Sequence, residues 1–240
     1  MPNHYFQFKQ FTVHQDLCAM KVTTDGCLFG AVVADNLKKW QNKFQHILDI
    51  GTGTGLLSLM IAQVTDAGID AIEIEKDTAE QARLNVAASP FSKTINIIHA
   101  DLNQFKTTDK YDLICSNPPF YEADLKSPKL NKNIAKHDNS LTFTQLLKSA
   151  TAILSEEGIF AVLLPYHRTV YFTTEANQMG LHLVKNLSVK QSVSHDHFRS
   201  ILFYSRKKTI METREIIIKK EDGKYTEEFI SLLKDYYLHL

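Results

Sequence analysis

The chain has 240 residues, 44% hydrophobic and 22% charged, and its 27 basic residues balance its 27 acidic residues at a formal net charge of zero. This composition is typical of a globular protein with one large α/β domain, or one domain with a small appendage, and it excludes a disordered or polybasic chain. A polyanionic partner would have to be bound by a local cluster of cations, because the molecule as a whole carries no net charge.

Targeting segments and metal sites are not indicated by the sequence. It begins without a signal-peptide pattern and contains no apolar stretch of about 18 residues, so we expect a cytoplasmic protein that does not enter a membrane. The three cysteines, Cys18, Cys27 and Cys115, lack the paired spacing of a zinc site, so no bound metal is expected. Cys115 lies in an apolar run and is interpreted as an inert core thiol.

The first 44 residues are predicted to contain a short strand or hairpin followed by a helix. Tyr5, Gln7 and Lys9 alternate with Phe6 and Phe8, which is typical of a strand that covers an apolar surface. A helical pattern occupies residues 27–40 and begins after Thr-Thr-Asp-Gly. The aspartate of that sequence, Asp25, is interpreted either as the helix cap or as a contact to a bound ligand.

A glycine-rich loop follows the first strongly apolar strand, which is predicted at residues 47–50. The loop reads Asp49-Ile-Gly51-Thr-Gly53-Thr-Gly55 and leads into a helix that reaches about residue 64. Glycine lets the backbone turn sharply and approach a ligand where a side chain would collide. The spacing differs from the Gly-x-Gly-x-x-Gly that wraps a pyrophosphate. With Asp49 in front of it, the loop favours a zwitterionic amino-acid group over a diphosphate.

The next predicted strand, at residues 69–74, carries a carboxylate near its end. Glu73 lies 22 residues after Gly51, where it can accept hydrogen bonds from both hydroxyls of a ribose. Glu75 is the competing candidate for this role. We prefer Glu73 because Glu75 already belongs to the start of a helix over residues 77–88, for which Asp77 is the expected N-cap.

A third strand is predicted at residues 95–99, and Asp101 follows it. The Asp101 carboxylate can accept a hydrogen bond from an adenine amino group while Leu102 packs on the ring. The alternative is an acidic loop residue with no ligand.

The fourth apolar strand ends in Ser116-Asn117-Pro118-Pro119-Phe120. Proline cannot donate to a β-ladder and biases the preceding residue toward extended backbone, so the strand ends in a rigid turn. Open α/β sheets bind ligands at such carboxyl ends. The Asn117 amide, the prolyl carbonyl and the Phe120 ring suit a planar group that bears an NH2, because the oxygens accept from the amine while the ring stacks on the π-face. The alternative is that the turn merely ends a strand.

Residues 121–140 form a polar insert directly after this turn. A structureless insert of this length beside a ligand-binding turn is typical of a substrate loop, although a solvated linker is the alternative. Its candidate substrate contacts are Lys126, Lys129, Lys132, Lys136 and His137. His137 has the further interpretation of a solvated histidine without a role.

The remaining predicted elements complete an alternation of strands and helices. They are an amphipathic helix over 142–154, a buried strand over 158–164, a helix to about 178, closing strands over 181–189 and 198–204, and a final helix over 226–238 that packs back on the core. Residues 185–224 carry ten basic and five acidic residues, a net charge of +5. This segment is interpreted either as a face that follows phosphates or as lysines that protect edge strands.

The order of these motifs resembles the class I S-adenosylmethionine-dependent methyltransferases over about residues 45–205, and the Asn-Pro-Pro-Phe turn is similar to that of the members that methylate amines. The resemblance implies an α/β, Rossmann-like fold with a mostly parallel, doubly wound sheet of seven strands, one of them antiparallel. Residues 1–44 would be an N-terminal extension that packs on the cofactor site, and residues 45–240 the methyltransferase domain with substrate loop 121–140 and a C-terminal helix. The implied cofactor is S-adenosylmethionine, bound by Asp25, Asp49, Gly51, Gly53, Gly55, Glu73, Asp101, Leu102 and Asn117.

A finer resemblance covers nearly the whole chain. Phe8-Lys9-Gln10-Phe11, the segment from Cys18 to Val22, Thr24-Asp25-Gly26, the Asn-Pro-Pro-Phe turn and the tail from Tyr225 to Leu238 are similar to the bacterial tRNA1(Val) (adenine-37-N6)-methyltransferases. Thr23 stands where that family often has a glycine. This resemblance implies methylation of N6 of an adenosine beside the anticodon of a tRNA, with Asn117, Pro118, Pro119 and Phe120 as the catalytic turn. Phe120, Lys126, Lys129, Lys132, Lys136 and His137 would hold the RNA.

Three other functions are compatible with the same motifs. A guanine-N2 RNA methyltransferase also uses Asn-Pro-Pro-Phe. A protein-glutamine N5-methyltransferase acts on an amide NH2, although a tyrosine in place of Phe120 would be expected there. A cofactor-binding scaffold in a larger complex is the non-enzymatic alternative. The nucleoside that receives a methyl group distinguishes among them.

Overall fold

The computed structural model describes residues 4–18, 20–40, 44–118 and 141–240. Pro119, Phe120 and the predicted substrate loop with its four lysines and His137 lie outside these ranges. The part of the predicted site that can be described is therefore the cofactor side together with Asn117 and Pro118.

The strands of the described chain form a short hairpin and one large sheet. The hairpin pairs β1 (Tyr5–Gln7) with β2 (Thr12–His14) in antiparallel fashion, as the N-terminal alternation predicts. Eight further strands form the sheet: β3 (His46–Ile50), β4 (Gly68–Glu73), β5 (Ile95–His99), β6 (Tyr111–Ser116), β7 (Leu154–Pro165), β8 (His182–Ser192), β9 (His197–Ser205) and β10 (Glu212–Lys219).

The sheet has the order β10-β8-β9-β7-β6-β3-β4-β5, and β9 is antiparallel to both of its neighbours. The predicted Rossmann-like class is confirmed, but the sheet has eight strands where seven are predicted. The additional strand is β10, which pairs in parallel with β8, with Ile216 opposite Val189. The charges of this segment conceal the strand in the sequence. Its β-branched run over 216–218 is the signal that locates the strand.

Helices cover both faces of the sheet, as the alternation of strands and helices requires. Side chains of successive strand residues point to opposite faces, so Ile47 and Leu113 belong to one hydrophobic core while Leu48 and Ile114 belong to the other. The helices are α1 (Thr24–Lys39), α2 (Leu56–Ala62), α3 (Lys76–Ala87), α4 (Phe143–Ile153), α5 (Thr169–Gln178) and α6 (Glu227–Leu233). Buried residues of α1, α2, α3 and α6 line the first core, and those of α4 and α5 line the second.

Two predicted helix caps are wrong. Helix α1 is capped by Thr23, whose Oγ1 accepts from the Gly26 amide at 3.2 Å, and Asp25 lies inside the first turn. Helix α3 begins after Glu75, which makes no side-chain cap, and Asp77 lies in the first turn, where a carboxylate interacts favourably with the helix dipole. In both cases the helix begins earlier than the pattern indicates, which leaves the expected cap inside it.

The C-terminal helix packs back on the core, although α6 ends at Leu233, five residues earlier than predicted. Beyond it, the buried Tyr236 donates its hydroxyl hydrogen to the Met60 carbonyl at 3.2 Å. The Lys9 amide donates to the Tyr236 carbonyl at 2.8 Å and so joins the N-terminal hairpin to the tail. None of the helices in the described ranges is long and apolar enough to cross a membrane.

The contact between α1 and α2 depends on a glycine, which gives a test of the packing. A Cβ added at Gly30 would lie 2.6 Å from the Met60 sulfur and 3.3 Å from its Cβ, and Met60 is fully buried. We expect Gly30→Ala to lower the free energy of unfolding by about 1–3 kcal/mol, as overpacking does. Gly68→Ala is the matched control, because its Cβ would meet only the Gln45 carbonyl at 3.9 Å. Urea unfolding measures both, and equal stability of the two variants would contradict the helix contact.

Candidate active site

The glycine loop after β3 has a left-handed backbone at three positions, with φ of 71° at Gly51, 58° at Gly53 and 83° at Gly55. Side chains other than glycine are strained at such φ values. A Cβ at Gly51 or Gly53 would have no atom within 4 Å, whereas one at Gly55 would touch Ala82 at 3.7 Å. The first two glycines therefore leave an open cradle beside the loop backbone, and the third permits close packing of α3.

Asp49 lies fully buried beneath this loop. Its Oδ2 accepts from the hydroxyls of Thr52 and Ser58, both at 2.7 Å, while its Oδ1 is buried without a hydrogen-bond partner among the described residues. Burial raises the pKa of the carboxyl to about 6, although the two hydroxyls act in the opposite direction. A positively charged group near Oδ1 would offset this cost, which agrees with the predicted amino-acid ligand.

Glu73 ends β4 directly beside the glycine loop and is only 8% exposed. Its Oε2 accepts from the Gly53 amide at 2.9 Å and its Oε1 from the Glu75 amide at 3.0 Å. Each carboxylate oxygen has a second lone pair with which to accept from a ligand hydroxyl. The competing residue, Glu75, is exposed, so the geometry favours Glu73 for the predicted ribose contact.

Asp101 follows β5 and stabilises its own turn. Its Oδ1 accepts from the Asn103 amide at 2.8 Å and from the Asn103 side chain at 3.1 Å. The neighbouring Leu102 is 7% exposed and packs in the second core. The turn lies beside Glu73, because the Ala100 amide donates to the Glu73 carbonyl at 3.0 Å. The proposed adenine contact of Asp101 and Leu102 stays a prediction.

Asn117 follows β6, which lies next to β3 in the sheet. The buried Ser116 donates its hydroxyl hydrogen to the Ile50 carbonyl at 2.9 Å and holds the two strand ends together. Asn117 Oδ1 is buried and has no hydrogen-bond partner among the described residues. Its Nδ2 would lie 3.7 Å from a Cβ at Gly26, so α1 begins against the amide. Asn117 therefore presents an acceptor oxygen that a donor of a ligand or substrate can satisfy.

Asp25 forms an ion pair that the sequence does not reveal. Its Oδ2 accepts from Arg199 Nε at 2.7 Å, and its Oδ1 accepts from the Gly26 amide at 3.2 Å. Arg199 lies at the start of β9, 174 residues further along the chain, and no local pattern could have joined the two. The pair holds the first turn of α1 against β9 beside Asn117. A direct cofactor contact of Asp25 stays a prediction.

The basic segment over residues 185–224 is largely neutralised in the structure. Eight of its ten cations lie within ion-pair distance of a carboxylate, and five of the partner carboxylates belong to other parts of the chain. These partners are Asp25, Glu156, Glu157, Glu227 and Glu228. The local net charge of +5 is therefore not a free positive face. The ion pairs with these partners join the segment to α1, β7 and α6.

The predicted cofactor fits the site that these residues form. The loops after β3, β4, β5 and β6 converge at one edge of the sheet, as the carboxyl ends of parallel strands do. The open cradle at Gly51 and Gly53, the unpartnered Oδ1 of Asp49 and the Glu73 carboxylate provide places for the amino-acid and ribose parts of S-adenosylmethionine. Within the described ranges, no group of three or more His, Cys, Asp or Glu residues is arranged to hold a metal ion.

Solved structures share this architecture at low sequence identity. A predicted O-methyltransferase from Agrobacterium tumefaciens matches with a TM-score of 0.67 at 16% identity, over 88% of this chain and 96% of that one. A 16S rRNA methyltransferase from T. thermophilus, solved in complex with AdoMet and guanosine, matches with a TM-score of 0.61 at 16% identity, over 86% of this chain and 52% of that one. These similarities support the fold.

Sheet order, glycine loop and convergent acidic residues define a class I methyltransferase, and the model of the Methyltransferase small domain family matches residues 30–173. A tRNA1(Val) (adenine(37)-N6)-methyltransferase of Phocaeicola vulgatus is 40% identical over 242 residues, covering all of both chains, and one of Flavobacterium psychrophilum is 41% identical over 98% of this chain and all of its own. The chain belongs to the tRNA1(Val) (adenine(37)-N6)-methyltransferase family.

Because the charge of Asp49 is buried, we expect a substitution that removes this charge to stabilise the protein. The pKa of Asp49 is about 6 in the folded state and 3.8 ordinarily, so between these pH values the folded state binds a proton that the unfolded state has lost. The folded state therefore loses stability as pH rises through this interval. Above pH 6 the full penalty applies, up to about 3 kcal/mol. We expect Asp49→Asn to raise the free energy of unfolding at pH 7.5 by more than at pH 5, and to weaken S-adenosylmethionine binding.

Urea unfolding at the two pH values and calorimetric titration with the cofactor measure these effects. Ser58→Ala is a useful companion variant, because it removes a hydroxyl donor from the ionised carboxylate and should lower stability at pH 7.5. An Asp49→Asn protein that is less stable at pH 7.5, or that binds the cofactor as tightly as the wild type, would contradict the assignment.

Proposed function

We propose that this protein transfers a methyl group from S-adenosylmethionine to N6 of an adenosine at position 37 of a tRNA, beside the anticodon. The substrate in its relatives' names, tRNA1(Val), is the first choice. The observation that carries the proposal is the unpartnered, buried Oδ1 of Asn117 at the end of β6, next to the glycine cradle. This oxygen is a hydrogen-bond acceptor for the NH2 group of a substrate, and it lies beside the proposed cofactor site.

S-adenosylmethionine supplies, when bound, a methyl group that its sulfonium already makes electrophilic. The task of the protein is to align a poor nucleophile, since the lone pair of an exocyclic adenine amine is delocalised into the ring. Asn117 Oδ1 accepts one amine hydrogen and the Pro118 carbonyl accepts the other, which favours a pyramidal nitrogen as the bond forms. Positioning of this kind contributes roughly 7–11 kcal/mol. The proton leaves after transfer, so the reaction does not depend on a strong base.

The residues proposed to hold the adenine base and the RNA lie outside the described ranges. Phe120 is proposed to stack on the adenine, an interaction worth about 1–3 kcal/mol per base. Lys126, Lys129, Lys132, Lys136 and His137 are proposed to contact the RNA, which would make binding salt-dependent. An adenosine in a single-stranded loop can be extruded at the cost of stacking alone, because no base pair is broken.

The N-terminal extension of residues 1–44 is proposed to complete the cofactor side of the site. Its helix α1 begins with Gly26 against the Asn117 amide, held there by the Asp25–Arg199 ion pair. We further propose that the methyltransferase domain begins at residue 45. We also propose that the protein acts in the cytoplasm, where tRNA is available.

Nucleoside analysis tests the proposed reaction. Purified protein is incubated with tRNA1(Val) and labelled S-adenosylmethionine, and the nucleosides are separated and identified by mass. Label in N6-methyladenosine is expected. Label in N2-methylguanosine would establish a guanine methyltransferase, label in protein a glutamine methyltransferase, and no transfer to any acceptor a cofactor-binding scaffold. Each of these three outcomes would overturn the proposal.

Asn117→Ala separates catalysis from cofactor binding. The variant loses the acceptor for the amine, so we expect kcat to fall at least a hundredfold, as removal of one such group does. The Kd for S-adenosylmethionine should change less than threefold, about 0.7 kcal/mol. Asn96→Ala is the matched control, since Asn96 donates to Asp70 on the exposed side of β5 at 2.8 Å. A large loss of cofactor affinity in Asn117→Ala would favour the cofactor contact that the resemblance also implies, and would contradict the role of Asn117 as the amine acceptor.

A further inference from the structure

An exposed aromatic pair lies where β7 ends, outside the residues assigned above. Tyr166 follows Pro165 directly and is 40% exposed. Its ring stacks on the ring of His197, with the centroids 4.7 Å apart and an angle of 25° between the planes. Near-parallel stacking occupies one face of the tyrosine, and the exposure of the residue leaves surface available for another flat group.

This aromatic pair is held in place by a charged network from two more strands. His197 Nε2 lies 2.8 Å from Glu215 Oε1, and Lys190 Nζ lies 3.1 Å from the same oxygen. Hydrogen bonds from Lys190 and then His197 lower the pKa of the Glu215 carboxyl, so it stays ionised at neutral pH. Strands β8, β9 and β10 therefore together support the stacked rings of Tyr166 and His197, which we call the platform. A ring fixed in this way loses little conformational freedom when a ligand stacks on it.

A short series of contacts joins the platform to the methyl-transfer site. Gly26 packs near the Asn117 amide, and the neighbouring Asp25 is paired with Arg199. Arg199 lies opposite Pro165 in the β7–β9 register, and Tyr166 is the next residue. The platform thus lies at the same edge of the sheet as Asn117, one strand further along. A substrate that extends beyond the target base in this direction would reach it.

A cation that has no carboxylate partner among the described residues lies two residues after Tyr166. The Arg168 guanidinium packs 5.4 Å from the centre of the Phe143 ring and 5.0 Å from that of Tyr171. Among the described residues no carboxylate forms an ion pair with it, whereas most cations of the 185–224 segment are paired. Its buried Nε also lacks a hydrogen-bond partner in the described part of the chain. Arg168 therefore keeps its charge available for an anion from outside.

We propose that Tyr166 and Arg168 form a binding surface for single-stranded RNA next to the methyl-transfer site: a nucleobase that flanks the target adenosine stacks on Tyr166, and an adjacent phosphate pairs with Arg168. Exposed aromatic rings combined with unpaired cations are the groups that bind single-stranded nucleic acid. The inference rests on the proposed function, which supplies a nucleic-acid substrate. It assigns RNA contact to residues outside the 121–140 loop and outside the neutralised basic segment.

Binding of a fluorescent anticodon stem-loop, measured by anisotropy at several salt concentrations, tests this surface. Tyr166→Ala should weaken binding about tenfold, the loss of one base–aromatic stack, while Tyr166→Phe should bind within twofold of the wild type. Arg168→Met keeps a long apolar side chain on Phe143 and Tyr171 but removes the charge. The variant should make the negative slope of log affinity against log salt concentration less steep by about 0.7. Tyr5→Ala, at a tyrosine 48% exposed on the hairpin, is the control that leaves binding unchanged.

The cofactor affinity and melting temperature of each variant show whether the fold is intact. If the wild type methylates tRNA while Tyr166→Ala and Arg168→Met bind the stem-loop as it does, the surface is wrong and the proposed function stands. If the wild type binds the stem-loop through these residues but transfers no methyl group to it, the surface stands and the proposed reaction is wrong. A wild type that does not bind the RNA overturns the surface. Should Tyr166→Ala fail to fold, the salt slope of Arg168→Met decides.

Discussion

The parallel pairing of β3 with β6 is the constraint on which the site depends. The register places Asp49 opposite Cys115 and Ile50 opposite Ser116, so the glycine loop and Asn117 leave the sheet at the same level. The hydroxyl of Ser116 bonds across to the Ile50 carbonyl at 2.9 Å. A shift of one residue would turn every side chain of a strand to the other face. Cofactor cradle and acceptor amide are therefore fixed relative to each other by backbone pairing, not by flexible side chains.

Two buried oxygens of the described site lack a donor within the described chain. Asp49 Oδ1 and Asn117 Oδ1 are both buried without a partner in the described ranges, and an unsatisfied buried acceptor costs about 1–3 kcal/mol. The raised pKa of Asp49 expresses the same cost for its charge. A protein can retain unsatisfied buried acceptors at a site where a bound ligand donates to them. The amine groups of S-adenosylmethionine and of the substrate are such donors. The surrounding hydrophobic cores, with fully buried Leu48, Leu113 and Leu146, supply the stability that compensates.

Local chemistry is what the sequence predicts well. The positions of the glycine loop, of Glu73 at the end of β4 and of Asn117 at the end of β6 were predictable because each lies at a strand end that its own apolar pattern marks. Long-range pairing was not predictable in this way. The Asp25–Arg199 ion pair joins residues 174 apart, and the cations of the 185–224 segment find acids from other elements. Strand β10 is hard to predict because charged residues precede and follow its short β-branched run.

The position of the cofactor sulfur relative to Asn117 tests this arrangement most directly. We expect a crystal structure with S-adenosylhomocysteine and an anticodon stem-loop to place the sulfur in line with the amine nitrogen of the extruded adenosine. That nitrogen should donate to Asn117 Oδ1 at about 2.8–3.2 Å. A sulfur atom bound elsewhere, or a base amine that points away from Asn117, would contradict the assignment of the turn after β6 as the site of methyl transfer.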